Sequence, residues 1–399
     1  MKRTGVIIIS LIILMTVAWT VNIVYTTLTG SDLFREIRSL YTQSLTQEPA
    51  RILNTTTCSD RDKNTELSSS EEKHLVQINK YQELCKSYIT SQVMIFTDLP
   101  KDSNEAISKA KDMADILIAF SDANITPLVI VEPVTTWGLT DFQEFGNGFY
   151  NTWIQDYFKE LKAHGITDEQ MGTWVPFPEA NLPYWNHANA TPAEFAKVVN
   201  TYLSLMKSEF PEASGSILLN SATYESDDFN WVNGEYVSLH QYVVGLDHDL
   251  IDSVGLQGLP WISSATDEPS SVFNPQEFIN HALIEEVAVE LEAKNIWFNT
   301  GTFGAKYTVN KESTSFVTPE KRKDMLNGIL SEAIKLENLG FEVTINIFAQ
   351  DKSASPEATD WSYLNESFSG SLESEQVFID FAAKATNNNI ELSLFDRND

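Results

Sequence analysis

The sequence predicts an α/β fold: a (β/α)8 barrel of the TIM type, preceded by an N-terminal membrane anchor and a short helical stalk. Two observations predict the barrel. From about residue 91 onward, near-continuous apolar runs of strand length alternate with segments of helical periodicity, the pattern of a parallel sheet covered on both faces. Seven such strands fit a closed barrel with one strand unassigned, and no Gly-rich phosphate loop follows the first strand to favour the alternative, a doubly wound open sheet. The third observation separates the anchor and stalk from the barrel. Residues 1–30 carry only two charges, Lys2 and Arg3, and residues 31–90 are largely polar.

The anchor is GVIIISLIILMTVAWTVNIVYTTL, uncharged over more than twenty residues, long enough to cross a hydrocarbon core of roughly 30 Å. A secretory signal would have a shorter apolar region and a small-x-small cleavage site. Lys2 and Arg3 stay on the cytoplasmic side, which puts the rest of the chain outside the cytoplasm. In the stalk, residues 31–90, SDLFREIRSLYTQSL and EEKHLVQINKYQELCKSYIT have helical spacing around a turn-rich segment. Cys58 and Cys85 are the only cysteines; an exported location permits a disulfide between them, and two free thiols are the alternative.

The domain at 91–399 reads in order. SQVMIFTDL is a strand and DSNEAISKAKDMADILIAFSDAN a helix with an Asp/Ser start. TPLVIVEPV is a buried strand stopped by Pro133, and FGNGFYNTWIQDYFKELKAHGI a helix closed by His164-Gly165. MGTWVPFPEAN is the next strand and its end. In TPAEFAKVVNTYLSLMKSEF, Thr191 and Glu194 have capping-box spacing with Pro192 at the first helical position. GSILLNSA and IDSVGLQGLPW are strands, NPQEFINHALIEEVAVELEAK a helix and KNIWFNTGTF a strand. TPEKRKDMLNGILSEAIKLENLG is the last helix and FEVTINIFAQ the last clear strand.

The formal net charge is −29. Such a surface repels nucleic acid and anionic lipid headgroups and keeps a protein with a neutral substrate soluble. The six histidines are scattered and no Cys/His cluster has metal-ligand spacing, so neither a metal nor an organic cofactor is implied.

In a barrel of this kind the site lies at the carboxyl ends of the strands. Glu132, Trp174, Glu179, Asn181, Gln257, Trp261, Asn299 and Asp351 fall there, with Trp137, Tyr184 and Trp185 just after strands. Amides and carboxylates pair sugar hydroxyls, and aromatic faces cover the apolar side of a ring. Trp153 and Trp297 sit inside apolar patterns and read as core. The focus is MGTWVPFPEANLPYW, in which Glu179 stands between apolar and aromatic residues and a polar turn. That is a setting for a carboxyl that donates a proton in glycoside hydrolysis.

Several segments, in order, resemble the family 26 glycoside hydrolases, (β/α)8 barrels that include β-mannanases. TPLVIVEPV is similar to that family's strand ending in Glu-Pro. FGNGFYNTWIQDYFKELKAHG resembles its Gly-x-Tyr-Asp helix opening, with Asn151 in place of Asp, and WVPFPEANLPYW its His-Glu-x-Asn-Gly strand end. YVVGLDHDLIDSVGLQGLPW is similar to its stretch ending Gly-Leu-Asp-Gly-Tyr. The resemblance spans roughly residues 91–305. It implies that Glu179 is the acid/base and Asn181 the asparagine after it, in an enzyme hydrolysing a neutral, β-mannan-like polysaccharide.

Three departures stand against it. Pro178 replaces the histidine before the acid, and Leu259-Pro260-Trp261 stands where a tyrosine is usual. At the place of the second glutamate are Asn299, Thr300 and Thr302. Either another carboxylate serves, Asp351 or Glu132, or the domain binds glycan without cleaving it.

Overall fold

The computed structural model describes residues 92–100, 102–122, 125–133, 139–181, 190–221, 231–232, 235–236, 239–258, 281–300, 306–309, 313–316, 319–348, 380–381, 383–385, 387–388 and 390–395. The expected anchor and stalk, with Cys58 and Cys85, lie outside these residues. Among the described residues, no helix is long and apolar enough to cross a membrane.

Eight strands form one sheet: β1 (Gln92–Asp98), β2 (Thr126–Glu132), β3 (Thr173–Pro176), β4 (Ser214–Asn220), β5 (Ser253–Gly258), β6 (Asn295–Thr300), β7 (Glu342–Phe348) and β8 (Ile390–Phe395). They are hydrogen-bonded in chain order, and every pairing is parallel. The last strand returns against the first, so the sheet curls into a barrel. The strand missing from the sequence reading is β8, IELSLF, where Glu391 and Ser393 interrupt the apolar run.

The helices are α1 (Ser103–Asp122), α2 (Leu139–Gly146), α3 (Asn151–Ala163), α4 (Asp168–Met171), α5 (Pro192–Glu209), α6 (His281–Glu290) and α7 (Pro319–Glu337). Two antiparallel ribbons, Trp231–Val232 with Glu235–Tyr236 and Lys306–Val309 with Ser313–Phe316, follow β4 and β6. These elements belong to one compact unit, Arg51–Glu337 and Phe341–Asp399. The other unit, Met1–Ala50 with Asn338–Gly340, contributes only Asn338–Gly340 to the described residues.

The helix starts follow from their caps. Asp102 Oδ1 accepts the N–H groups of Asn104 and Glu105, both at 2.9 Å, at the start of α1. The box at α5 forms as the spacing predicts: Glu194 N–H reaches Thr191 Oγ1 at 3.3 Å, and Glu194 Oε2 accepts the Thr191 N–H at 2.7 Å. The helix expected to run on from Phe145 is instead two, α2 and α3. Between them Gly148 adopts φ 85°, a left-handed value that glycine reaches without a Cβ clash.

Met94, Leu128, Ile130, Val175, Leu218 and Trp297 make one buried cluster contributed by five strands. Burying a side chain of this size stabilises by about 1.5–3 kcal/mol. Trp297 is core, as its apolar setting predicts. Its Nε1 donates to Ser216 Oγ at 2.9 Å, and its ring lies over Gly255, where a Cβ would come within 2.2 Å of Cζ2.

Candidate active site

Immediately after β3 the chain makes a strained turn. Phe177 and Glu179 both hold left-handed φ, 54° and 52°, which costs of order 1–3 kcal/mol for each non-glycine residue and persists only where surroundings enforce it. Two backbone bonds enforce it here. The Phe177 N–H donates to Val131 O on β2 at 2.9 Å, and the Glu179 N–H to Leu218 O on β4 at 2.7 Å. The Phe177 ring is gripped by Phe142 and Phe145 of α2, with centroids 5.5 and 5.3 Å away. Next to α2, the Tyr150 hydroxyl donates to Glu144 Oε2 at 3.2 Å and Asp141 Oδ1 at 3.4 Å. Burial first, then those carboxylates, push that hydroxyl up to about 12, so it stays a donor at neutral pH.

The turn delivers Glu179 into the barrel mouth with 3% of its surface exposed. Its Oε1 accepts from Asn220 Nδ2 at the end of β4 and from Gln257 Nε2 on β5, the latter at 2.7 Å. Asn181, also buried, grips the Asn220 backbone from both sides: its Nδ2 donates to Asn220 O and its Oδ1 accepts the Asn220 N–H, each at 2.9 Å. Behind Gln257 stand two more amides. Asn299 Nδ2 on β6 reaches Gln257 Oε1 at 3.4 Å, and Asn346 Nδ2 on β7 reaches Asn299 Oδ1 at 3.0 Å. The four amides occupy one row of the sheet, since Asn220, Gln257, Asn299 and Asn346 are successive register partners.

The structure therefore gathers Glu179, Asn181, Gln257 and Asn299, but as an interlocked group whose amides face one another. Trp174 requires a correction. It is fully buried, its Nε1 donates to Met171 O at 2.9 Å, and it packs against Tyr157 and Phe158 of α3 and Tyr202 of α5. Side chains alternate along a strand; Val175 faces the barrel cluster, so its neighbour Trp174 faces the helices and cannot stack on a sugar at the mouth.

Glu132 closes β2, partly exposed and in register with Asp98 at the end of β1. Among the described residues, the carboxylates at the carboxyl ends of the strands are Asp98, Glu132 and Glu179. At the end of β6 stand Asn299 and Thr300. Asp351, Trp137, Tyr184, Trp185 and Trp261 lie outside the described residues. Among the described residues no group of three or more His, Cys, Asp or Glu could hold a metal ion.

Sequence reasoning missed Asn346 as part of the site. The signal was present: ILLN, GLQG, WFNT and INIF each carry one amide near the end of an otherwise apolar strand.

No family model matches this chain, and no curated protein does. Among solved structures it is similar to a β-glucosidase from Thermotoga maritima in complex with deoxynojirimycin, with TM-score 0.51 and 11% identity, over 86% of this chain and 94% of that one. A structure of the family 1 b-glucosidase from Thermotoga maritima aligns with TM-score 0.49 and 11% identity, over 77% of this chain and 85% of that one. At such identity the first likeness shows the fold alone. That fold is the (β/α)8 barrel the sequence predicts; membership of family 26 is not shown.

Proposed function

We propose that this protein hydrolyses O-glycosidic bonds in a neutral, β-mannan-like polysaccharide, with Glu179 as general acid/base. One observation carries the reading: a buried glutamate, set in left-handed conformation at the carboxyl end of a barrel strand and oriented by two amide donors on one oxygen. Strain of this kind concentrates where a side chain must be aimed, and two donors on one oxygen fix the direction of a carboxyl that would exchange a proton with a leaving group. The strongly acidic surface favours an uncharged substrate over an anionic one. The uncharged N-terminal segment would hold the barrel at the outer face of a membrane, which fractionation of cells with protease treatment of the intact surface would test. The partner carboxylate is Glu132 or Asp351.

A second reading has its own support. Asn299 and Thr300 at the end of β6 stand where the resemblance to family 26 places the second glutamate, as in a barrel that binds glycan without cleaving it. Incubating the full chain with β-mannan and other neutral polysaccharides, and measuring reducing ends, separates the two. Hydrolysis that falls about 10²–10⁴-fold in kcat in Glu179→Gln supports the first. Glycan binding with no hydrolysis by the unaltered protein hands the site to the second. Where hydrolysis occurs, the anomer released reports the partner: retention for carboxyls about 5–5.5 Å apart, inversion for about 6.5–9.5 Å.

A further inference from the structure

We propose that Gln257, Asn299 and Asn346 are positioning residues: a one-way relay of side-chain amides that runs across three strands and fixes the orientation of the Glu179 carboxyl. The functional meaning rests on Glu179 as the working carboxyl; the relay itself rests on geometry.

Each amide has a donating and an accepting end, so a row of them can point either way. Here the direction is uniform. Asn346 Nδ2 donates to Asn299 Oδ1, Asn299 Nδ2 to Gln257 Oε1, and Gln257 Nε2 to Glu179 Oε1. Reversing the row would set Gln257 Oε1 against Glu179 Oε1, two acceptors in contact. The carboxyl therefore favours this direction, as does the Met94 sulfur, which accepts from Asn299 Nδ2 at 3.7 Å. Asn346, with 0% of its surface exposed, has its Oδ1 buried without a hydrogen-bond partner. Reversal would turn Oδ1 toward Asn299 but put Nδ2 in its place, so one buried polar atom of Asn346 stays unmet either way. The end of the row is neutral, and the contact with Glu179 decides its direction. Asn220, fastened by Asn181, supplies the second donor and stops Oε1 from swinging away.

The test reads Glu179 directly and needs no substrate. In the full chain labelled with δ-¹³C glutamate, the Glu179 carboxyl resonance is assigned by its loss in Glu179→Gln. At fixed neutral pH, Asn346→Leu removes the distal donor while two residues still separate it from Glu179. The relay requires the Glu179 resonance to move in Asn346→Leu, and to move less in Asn346→Thr, which keeps a donor. Thr300→Val, a buried change on β6 facing the other side of the strand, must leave it in place. Stability supplies a second arm: Asn346→Leu and Glu179→Gln must be non-additive, with a coupling above about threefold in the unfolding equilibrium constant, although the two side chains do not share a hydrogen bond. Equal small shifts in Asn346→Leu and Thr300→Val, or additivity within error, overturn the relay. Absence of hydrolysis with an intact relay would refute the enzyme reading and leave the relay standing.

Discussion

Two side chains and one missing side chain determine the geometry at the bottom and the mouth of the barrel. Trp297 fills the interior only because position 255 is glycine: a Cβ there would lie 2.2 Å from Cζ2 and 2.3 Å from Cε2 of the indole. Trp297 shares one buried cluster with Leu218, Val175 and Ile130, so the indole has little room to retreat. Gly255→Ala should therefore lower stability by about 1–3 kcal/mol or more through overpacking, read as a lower urea midpoint with an unchanged slope. The double variant Gly255→Ala, Trp297→Phe should recover part of the loss, since the smaller ring vacates the space. Gln257 lies two residues further along the same face of β5, so the amide row sits one layer above the indole.

At the scale of elements, α5 shows how a local device is tied to the site. Its capping box involves Thr191 and Glu194, and Gln143 of α2 donates to Glu194 Oε1 at 2.6 Å. The same α2 holds Phe177, two residues before Glu179. Burial alone would push the Glu194 carboxyl up, but the bonds from Gln143 and from the backbone and hydroxyl of Thr191 outweigh it and hold it below its ordinary value of 4.5. A carboxyl depressed in the folded state adds stability above its unfolded value, and that stability drains away as pH falls through the folded value. Thr191→Ala should cost about 0.5–2 kcal/mol at pH 7. The cost should shrink once the pH drops below the range where Glu194 ionises, as measured by urea midpoints of both proteins from pH 7 down to pH 3. This box was legible in the sequence because its signal is four residues long and local. The break between α2 and α3 was not, because Phe145, Tyr150, Ile154 and Phe158 all look in the sequence like one apolar stripe, and only the turn at Gly148 separates them.

At the scale of the whole molecule, what could be read from sequence depended on whether a residue's role was set by its own strand or by its neighbours. Seven strands announced themselves by continuous apolar runs, and Glu179 by its place at the end of one. The face that Trp174 takes required the parity of β3 to be counted from Val175, and Asn346 acquired its role only from register with Asn299 across the sheet. The eighth strand failed for the opposite reason: β8 carries Glu391 and Ser393, and its apolar residues are too few to stand out alone. Its contribution is topological. It pairs with β7 from Val343–Ile390 through Phe348–Phe395 and lies near β1 on its other side, so it completes the curl of the sheet. A chain ending at Asn389 would retain the amide row and the Glu179 turn in its covalent structure, but would leave the edge of β7 unpaired and the interior faces of β7 and β1 open to water. Exposed edges of that length invite pairing between molecules, and a barrel interior stays dry only when closed. The truncated chain should therefore lose its single cooperative unfolding transition and associate in solution, as followed by urea denaturation and light scattering. A truncated protein that remained monomeric and unfolded in one step at the unaltered midpoint would mean that the curl of β1–β7 is maintained by the helices alone.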